Sequence, residues 1–156
     1  YGLDIFGLDS MHIRRIEAGI LNAGSDFDHL TTPYDVGLGM FVDQEKGDFI
    51  GQAALKNAPK EARLIGVLCA AEPHIGAAIM VDGQTVGKVT AGAMSPYLKQ
   101  GIGIALMLES GYLPNTWVSV GCIDGKLHKG QLAELPLYDK AGAIQRGKLI
   151  EVPARD

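Results

Sequence analysis

Residues 77–92 read AAIMVDGQTVGKVTAG. Two runs rich in Val, Ile, Met and Thr flank Asp82-Gly83, a pair that favours the left-handed backbone of a two-residue hairpin turn, so the stretch predicts a β-hairpin. Asp124-Gly125, within CIDGKL at 122–127, predicts a second one. Working outward from these turns, short apolar runs recur from Arg63 to the end: RLIGVLCA, AAIMV, TVGKVTAG, GIGIALML, TWVSVGC, KLHKGQLAEL and KLIEV. Each is bounded by Gly, Pro, Asp or Asn. Evenly spaced strands with turn residues between them are the pattern of an all-β barrel or sandwich. Gly101-Ile102-Gly103 falls inside one run without a third glycine at dinucleotide-binding spacing, so it reads as a glycine-kinked strand.

Before Arg63 the pattern differs. Leu8, His12, Ile16 and Ile20 recur at helical spacing, with Asp9 early and Arg14 and Arg15 late, as the helix dipole favours. This predicts a helix over about 8–20, closed by the glycine-rich step at 19–24. GQAALKN at 51–57 predicts a short helix stopped by Pro59, because the residue before a proline avoids the α region. Charge divides at the same place: residues 1–60 hold nine acids and five bases, and residues 61–156 hold nine of each. The chain is therefore read as two units, 1–60 and 61–156.

Composition narrows the function classes. Of 156 residues, 14 are Lys or Arg and 18 Asp or Glu, a net charge of −4, which disfavours a basic nucleic-acid-binding face. No apolar run approaches the roughly 20 residues of a membrane helix, and no basic-then-apolar leader opens the chain, so no membrane partner is expected. The protein reads as soluble, intracellular and cytoplasmic. Glycine, at 21 residues, is about twice as frequent as usual, in keeping with tight turns and short strands.

Individual residues give few chemical signals. His12, His29, His74 and His128 are too scattered for a zinc pattern, and no metal site is expected. Cys69 and Cys122 each sit alone in an apolar run, as buried core thiols do. Ser95 in GAMSPYL lacks a nucleophile-elbow pattern and reads as a turn residue. Asp26, Asp28 and His29 form an acidic cluster that either accepts protons or holds a cation, or else consists of solvated turn and cap residues. Arg15 stands out, because an arginine on the side of the helix that carries Leu8 and Ile16 needs an anionic partner, either a carboxylate of the protein or one of a ligand.

Four ordered blocks then carry a resemblance: Arg15-Ile16-Glu17-Ala18-Gly19, Gly24-Ser25-Asp26, Thr32-Pro33-Tyr34-Asp35-Val36-Gly37-Leu38, and Lys46-Gly47-Asp48-Phe49-Ile50-Gly51 with Ala54-Leu55. They resemble the folate-binding part of the aminomethyltransferase family, which includes the glycine cleavage T-protein and the folate domains of dimethylglycine and sarcosine dehydrogenases. Val86-Gly87-Lys88-Val89-Thr90-Ala91-Gly92, Ser95-Pro96 and Pro136-Leu137-Tyr138 extend the similarity across nearly the whole chain. Ala23 replaces the tyrosine of the family's Tyr-Gly-x-Asp step, and Asp35 replaces the glutamate of its Thr-Pro-x-Glu.

The resemblance implies an α+β chain: 1–60 as the end of a folate-binding domain and 61–156 as a C-terminal antiparallel β-barrel. It implies tetrahydrofolate as cofactor, with Arg15 contacting it and Arg146, the basic residue after the late tyrosine, as a second contact. No catalytic residue matches by motif; the family's key acid and its pterin-gripping carboxylate belong to an upstream, N-terminal part of the same protein. The implied reaction moves a one-carbon unit to tetrahydrofolate from a small-molecule donor or a lipoyl carrier protein. A folate-binding assembly or sensor module without methyl transfer, and the C-terminal folate domain of a dehydrogenase-like flavoprotein, are the alternatives. By itself the chain is expected to turn over no substrate and bind folate poorly. Its part from about Arg63 should stay folded, whereas Ile5, Phe6, Ile16 and Phe41, left without partners, should drive oligomer formation.

Overall fold

The computed structural model of the chain describes residues 2–144 and 146–148. The order of elements is helix α1 (Leu8–Glu17), helix α2 (Gln52–Asn57), then strands β1 (Leu64–Cys69), β2 (Ala78–Val81), β3 (Gln84–Ser95), β4 (Gln100–Met107), β5 (Trp117–Gly121) and β6 (Leu127–Ala133). The six strands close into an antiparallel barrel in the order β1-β4-β3-β2-β5-β6, with β6 returning to pair with β1. Of the two architectures left open by the strand pattern, the barrel is the one formed. The apolar run at 148–152 lies, from residue 149 on, outside the described residues.

The hairpin turns follow from backbone freedom. Asp82 and Gly83 take φ of 49° and 79°, the paired positive values of a type I′ turn, and join β2 to β3. Gly125 takes φ of 75° between β5 and β6. Inside the strands, glycine serves a different need. The segment that links β1 to β2 lies close against β3 and β4, and a Cβ on Gly92 or Gly101 would stand 1.9 Å from the carbonyl oxygens of Pro73 or Ala71. The glycine-kinked strand is thus a place where another stretch of backbone lies against the sheet.

Two apolar clusters share the sheet. Val67, Cys69, Ile79, Val89, Ala105, Met107, Val118, Val120, Cys122 and Leu132 fill the barrel interior. On the outer face Ala91, Ala93, Ile102 and Ile104 receive Ile16 of α1, with Ile13 and Leu21 beside it. Neighbouring residues of β4 point to opposite faces, as the strand period requires. In β3 the alternation breaks: Val89 pairs with Ala105, yet Ala91 pairs with Ile104, so Thr90 is the extra residue of a β-bulge. One inserted residue exchanges the faces. That exchange puts Ala91 and Ala93 outside, where α1 can pack on them.

The helix departs from its sequence reading in two respects. It ends at Glu17 instead of near residue 20, because Gly19 adopts φ of 67° and the N–H groups of Gly19 and Ile20 donate to the carbonyls of Ile16 and Arg15. This Schellman closure uses a glycine the sequence reading had singled out, one turn sooner. The buried stripe also differs: Ile13 and Ile16 meet the barrel, while Leu8 and Ile20 are exposed. Ile16, expected to lack a partner, is fully buried because the bulged strand presents alanines to it. Ile5, Phe6 and Phe41 are exposed, as anticipated. The second helix begins and ends close to its predicted limits, with Ala58 extended before Pro59. Among the described residues no helix is long and apolar enough to cross a membrane.

Candidate functional site

One side of α1 forms a wall of a cavity of about 700 Å³. Leu8, Met11, His12 and Arg15 stand three or four residues apart along that side, the spacing that aligns side chains on a helix. Ile20, Leu21 and Asn22 continue the wall, and Tyr138, Asp139 and Ile144 face it. The periodic positions Leu8, His12 and Ile20, which read as a core stripe, are the lining of this cavity.

Arg15 is the charged centre of the wall. Its Nη1 donates to Asp26 Oδ2 at 2.7 Å and to the carbonyl of Ile20 at 3.3 Å. The side chain of Arg15 is 16% exposed and that of Asp26 wholly buried, so this pair is well shielded from solvent. Neither Nε nor Nη2 of Arg15 makes a hydrogen bond among the described residues. Of the two partners raised for Arg15, the carboxylate of the protein is present: Asp26 holds one nitrogen of a residue that lines the cavity. His12 Nε2 lies 3.2 Å from the carbonyl of Gly92 and must donate to it, since a carbonyl only accepts.

Arg146 lies elsewhere. It lines a smaller cavity of about 260 Å³ with Pro136, Lys140, Ala141 and Gly142. Ala18, Tyr138 and Asp139 border both spaces, so the two predicted arginines occupy adjoining compartments of one surface. Arg146 is exposed. Asp139 shapes the shared rim by accepting the backbone N–H groups of Ala143 and Ile144 at 2.7 and 2.9 Å.

A second buried carboxylate, Glu17, accepts a hydrogen bond from Ser95 at 2.6 Å and pairs with Arg14 at 3.0 Å. The Arg14 guanidinium lies 4.5 Å from the centre of the Tyr97 ring, which stacks at 5.4 Å on Tyr138. Through this chain the end of β3 supports the tyrosine that faces α1 across the cavity. Sequence reasoning placed Ser95 in a turn, and its Oγ does accept the N–H of Leu98, but its bond to Glu17 was not foreseen. Tyr138 belongs to the Pro136-Leu137-Tyr138 block, and spacing alone carries no sign of its place at the rim.

The acidic cluster resolves into separate tasks. Asp26 is the buried partner of Arg15, whereas Asp28 accepts the N–H of Leu30 and the hydroxyl of Thr31. Those two hydrogen bonds, the backbone one first, hold the Asp28 carboxyl below the ordinary range. Asp35 accepts from Thr32 and from Arg63 Nε at 2.8 Å. Burial raises its pKa, but the bonds from Arg63 and Thr32 outweigh burial and leave it lowered. Among the described residues no group of three or more His, Cys, Asp or Glu is placed to hold a metal ion. Cys69 and Cys122 are free thiols in the barrel interior, 3.6 Å apart at sulfur although 53 residues apart in sequence. Burial first, then Cys69 beside it, pushes the Cys122 thiol up to about 12.

Comparison with known proteins agrees with this architecture. The glycine cleavage T-protein C-terminal barrel domain matches residues 63–139, which hold all six strands. An aminomethyltransferase of Thermosipho melanesiensis is 36% identical over 137 residues, covering 85% of this chain and 37% of that protein. One from Streptomyces coelicolor is 34% identical over 149 residues, covering 89% and 40%. The crystal structure of the glycine cleavage system aminomethyltransferase T from Bartonella henselae superposes with a TM-score of 0.72 at 25% identity, over 83% of this chain and 38% of that one. The chain therefore spans about two fifths of the length of these relatives.

Proposed function

Because the chain belongs to the aminomethyltransferase family and carries its C-terminal barrel, we propose that it forms one wall of a folate site in an enzyme that moves a one-carbon unit from an amine or methylated donor to tetrahydrofolate. The observation that carries this reading is Arg15: a guanidinium fixed at one nitrogen, with two others uncommitted, in a largely apolar cavity of about 700 Å³. Folate combines a flat hydrogen-bonding head with an anionic glutamate tail. An apolar cleft with a few placed polar groups suits the first, and an arginine fork suits the second.

The residues fit the ligand class. Arg15 would grip a carboxylate, and Arg146, in the adjoining compartment, would draw the anionic end along the shared rim. Leu8, Met11 and the Tyr138 ring would cover the flat part and exclude water from it. Tetrahydrofolate, when bound, supplies the nitrogen that accepts the one-carbon unit. This chain's contribution is binding and orientation, which convert a bimolecular encounter into an effectively unimolecular step. No proton-transfer role is assigned to its residues; the acid that serves the reaction would come from the three fifths of the relatives' length that this chain does not span.

Calorimetric titration of the natural full-length protein with tetrahydrofolate is the direct test, and absence of binding would refute the proposal. Arg15→Ala should weaken binding by about 1.5–3 kcal/mol, roughly 10- to 150-fold, the range for a hydrogen bond to a charged group. The 2.7 Å pair with Asp26 supports a second reading, in which Arg15 serves the fold alone. That reading expects a large loss of stability with unchanged affinity. Turnover assays with small methylated amines and with an aminomethyl-loaded lipoyl carrier protein would separate the two donor classes.

A further inference from the structure

We infer that Thr90 is a positioning residue: the β-bulge of β3 aims its hydroxyl at Asp26, and the barrel thereby fixes where Arg15 presents its guanidinium to an anionic ligand. The inference rests on the proposed folate site and extends it to a residue that lines neither cavity.

Thr90 is the inserted residue between Val89 and Ala91, and it is buried. A bulge re-aims a side chain that regular pleating would send elsewhere. Its Oγ1 lies 2.6 Å from Asp26 Oδ1 and 3.2 Å from the carbonyl of Ile104. A hydroxyl has one proton to give, and the shorter contact to a carboxylate is the stronger bond, so the proton goes to Asp26. With Oδ1 taken by the barrel, Oδ2 receives both Arg15 Nη1 at 2.7 Å and the backbone N–H of Asn22 at 2.8 Å. Among the described residues these three donors are its partners, and the Asp26 side chain has no exposed surface. Its plane is set by a strand residue on one side and a loop amide on the other.

This arrangement matters because arginine is long and flexible. Holding its guanidinium in one pose before a ligand arrives removes an ordering cost from binding. Asp26 provides the grip, and Thr90 keeps that grip from rotating. The barrel would then act on affinity through a single hydroxyl, while α1 carries the arginine itself.

The test uses the natural full-length protein with tetrahydrofolate as the probe. Thr90→Val removes the hydroxyl and keeps the branched shape; it should weaken binding about three- to tenfold. Thr90→Ser should restore it. In an Arg15→Ala background, Thr90→Val should cause no further loss of affinity, because the effect travels through Arg15. Unchanged affinity in Thr90→Val, or a loss that adds fully to that of Arg15→Ala, would overturn the inference. A readout on the ligand-free protein keeps it separable from the folate proposal: the rate of phenylglyoxal modification at Arg15, followed by peptide mapping. Thr90→Val should raise that rate several-fold and Thr90→Ser should not, whether or not tetrahydrofolate binds. An unaltered rate in Thr90→Val would refute the positioning role even if the folate site is real, whereas a raised rate in a protein that binds no tetrahydrofolate would refute the folate site alone.

Discussion

The barrel and the segment that precedes it bury their apolar residues in different ways. Within β1–β6, every strand has two hydrogen-bonded neighbours and the interior is filled by Val, Ile, Ala, Met, Leu and the two cysteines. In residues 2–60, Leu3, Ile5, Phe6, Leu8, Leu30, Met40, Phe41 and Ile50 are exposed, and the link to the barrel is narrow. It includes Ile16, with Ile13 and Leu21 beside it, in an alanine-floored groove, the His12 bond to the Gly92 carbonyl, and three carboxylates, Glu17, Asp26 and Asp35, each bonded to a barrel side chain or to Arg63 beside β1. A segment with few apolar contacts relies on its polar ones for orientation. Two of them lead to the wall that carries Arg15, since Glu17 lines the same cavity and Asp26 bonds Arg15 itself.

The contrast can be attacked from several sides, beginning with the largest effect. If the barrel is a closed unit, Cys122 should be almost inert to thiol reagents. A thiol at about 12, against an ordinary value near 8.5, has a thiolate fraction lower by roughly a thousandfold at pH 8. Labelling that follows global unfolding in denaturant would agree; fast labelling of the native protein would show that the barrel opens. Next, Ile16→Ala should cost about 2–5 kcal/mol in chemical denaturation, as emptying a fully buried site does. A cost near zero would mean that polar contacts such as Glu17–Ser95 and His12–Gly92 suffice to dock the helix.

The polar anchors should respond to pH. Asp35 has a lowered pKa in the folded protein, so its stabilising contribution is present above the unfolded value near 3.9 and is lost as pH falls through the folded value. Below pH 4, hydrogen exchange around residues 32–36 should quicken before that of the strands. The effect is smaller than the loss of Ile16, because Arg63 is 30% exposed and solvent screens the pair. The smallest change is expected at the exposed apolar positions: Phe6→Ser should alter stability by no more than about 0.5 kcal/mol. A larger loss would reveal a packing partner for Phe6.

Much of the barrel could be read locally, because its turns depend on residues adjacent in sequence. Asp82-Gly83 and Asp124-Gly125 mark two hairpins, and Pro59 stops a helix. Features created by distant strands left no local trace. Thr90 sits in a run, VTAG, that looks like ordinary alternation, and only pairing with β4 shows the inserted residue. The cysteines meet because β6 and the loops around it bring together positions whose separation carries no periodic signal. At the site, Arg15 was legible as an arginine in need of an anion, and Asp26 as an acid in a cluster. That they need each other is visible only in the fold, where the helix ends at Glu17 and the chain turns back through Gly19.

The strand order also sets a schedule for synthesis. Strand β1 pairs with β6, Gly66 opposite Ala133 and Cys69 opposite Gly130, so the first strand made waits for the last. As the chain leaves the ribosome, β2, β3, β4 and β5 can assemble onto one another and onto β1. The outer edges of β1 and β5 then stay unsatisfied until the stretch after Gly125 emerges. An open strand edge is a template for pairing with other chains. A chain cut within the turn at 122–126 would therefore present a curved five-stranded sheet with two adhesive edges, whereas one that runs on through β6 can seal.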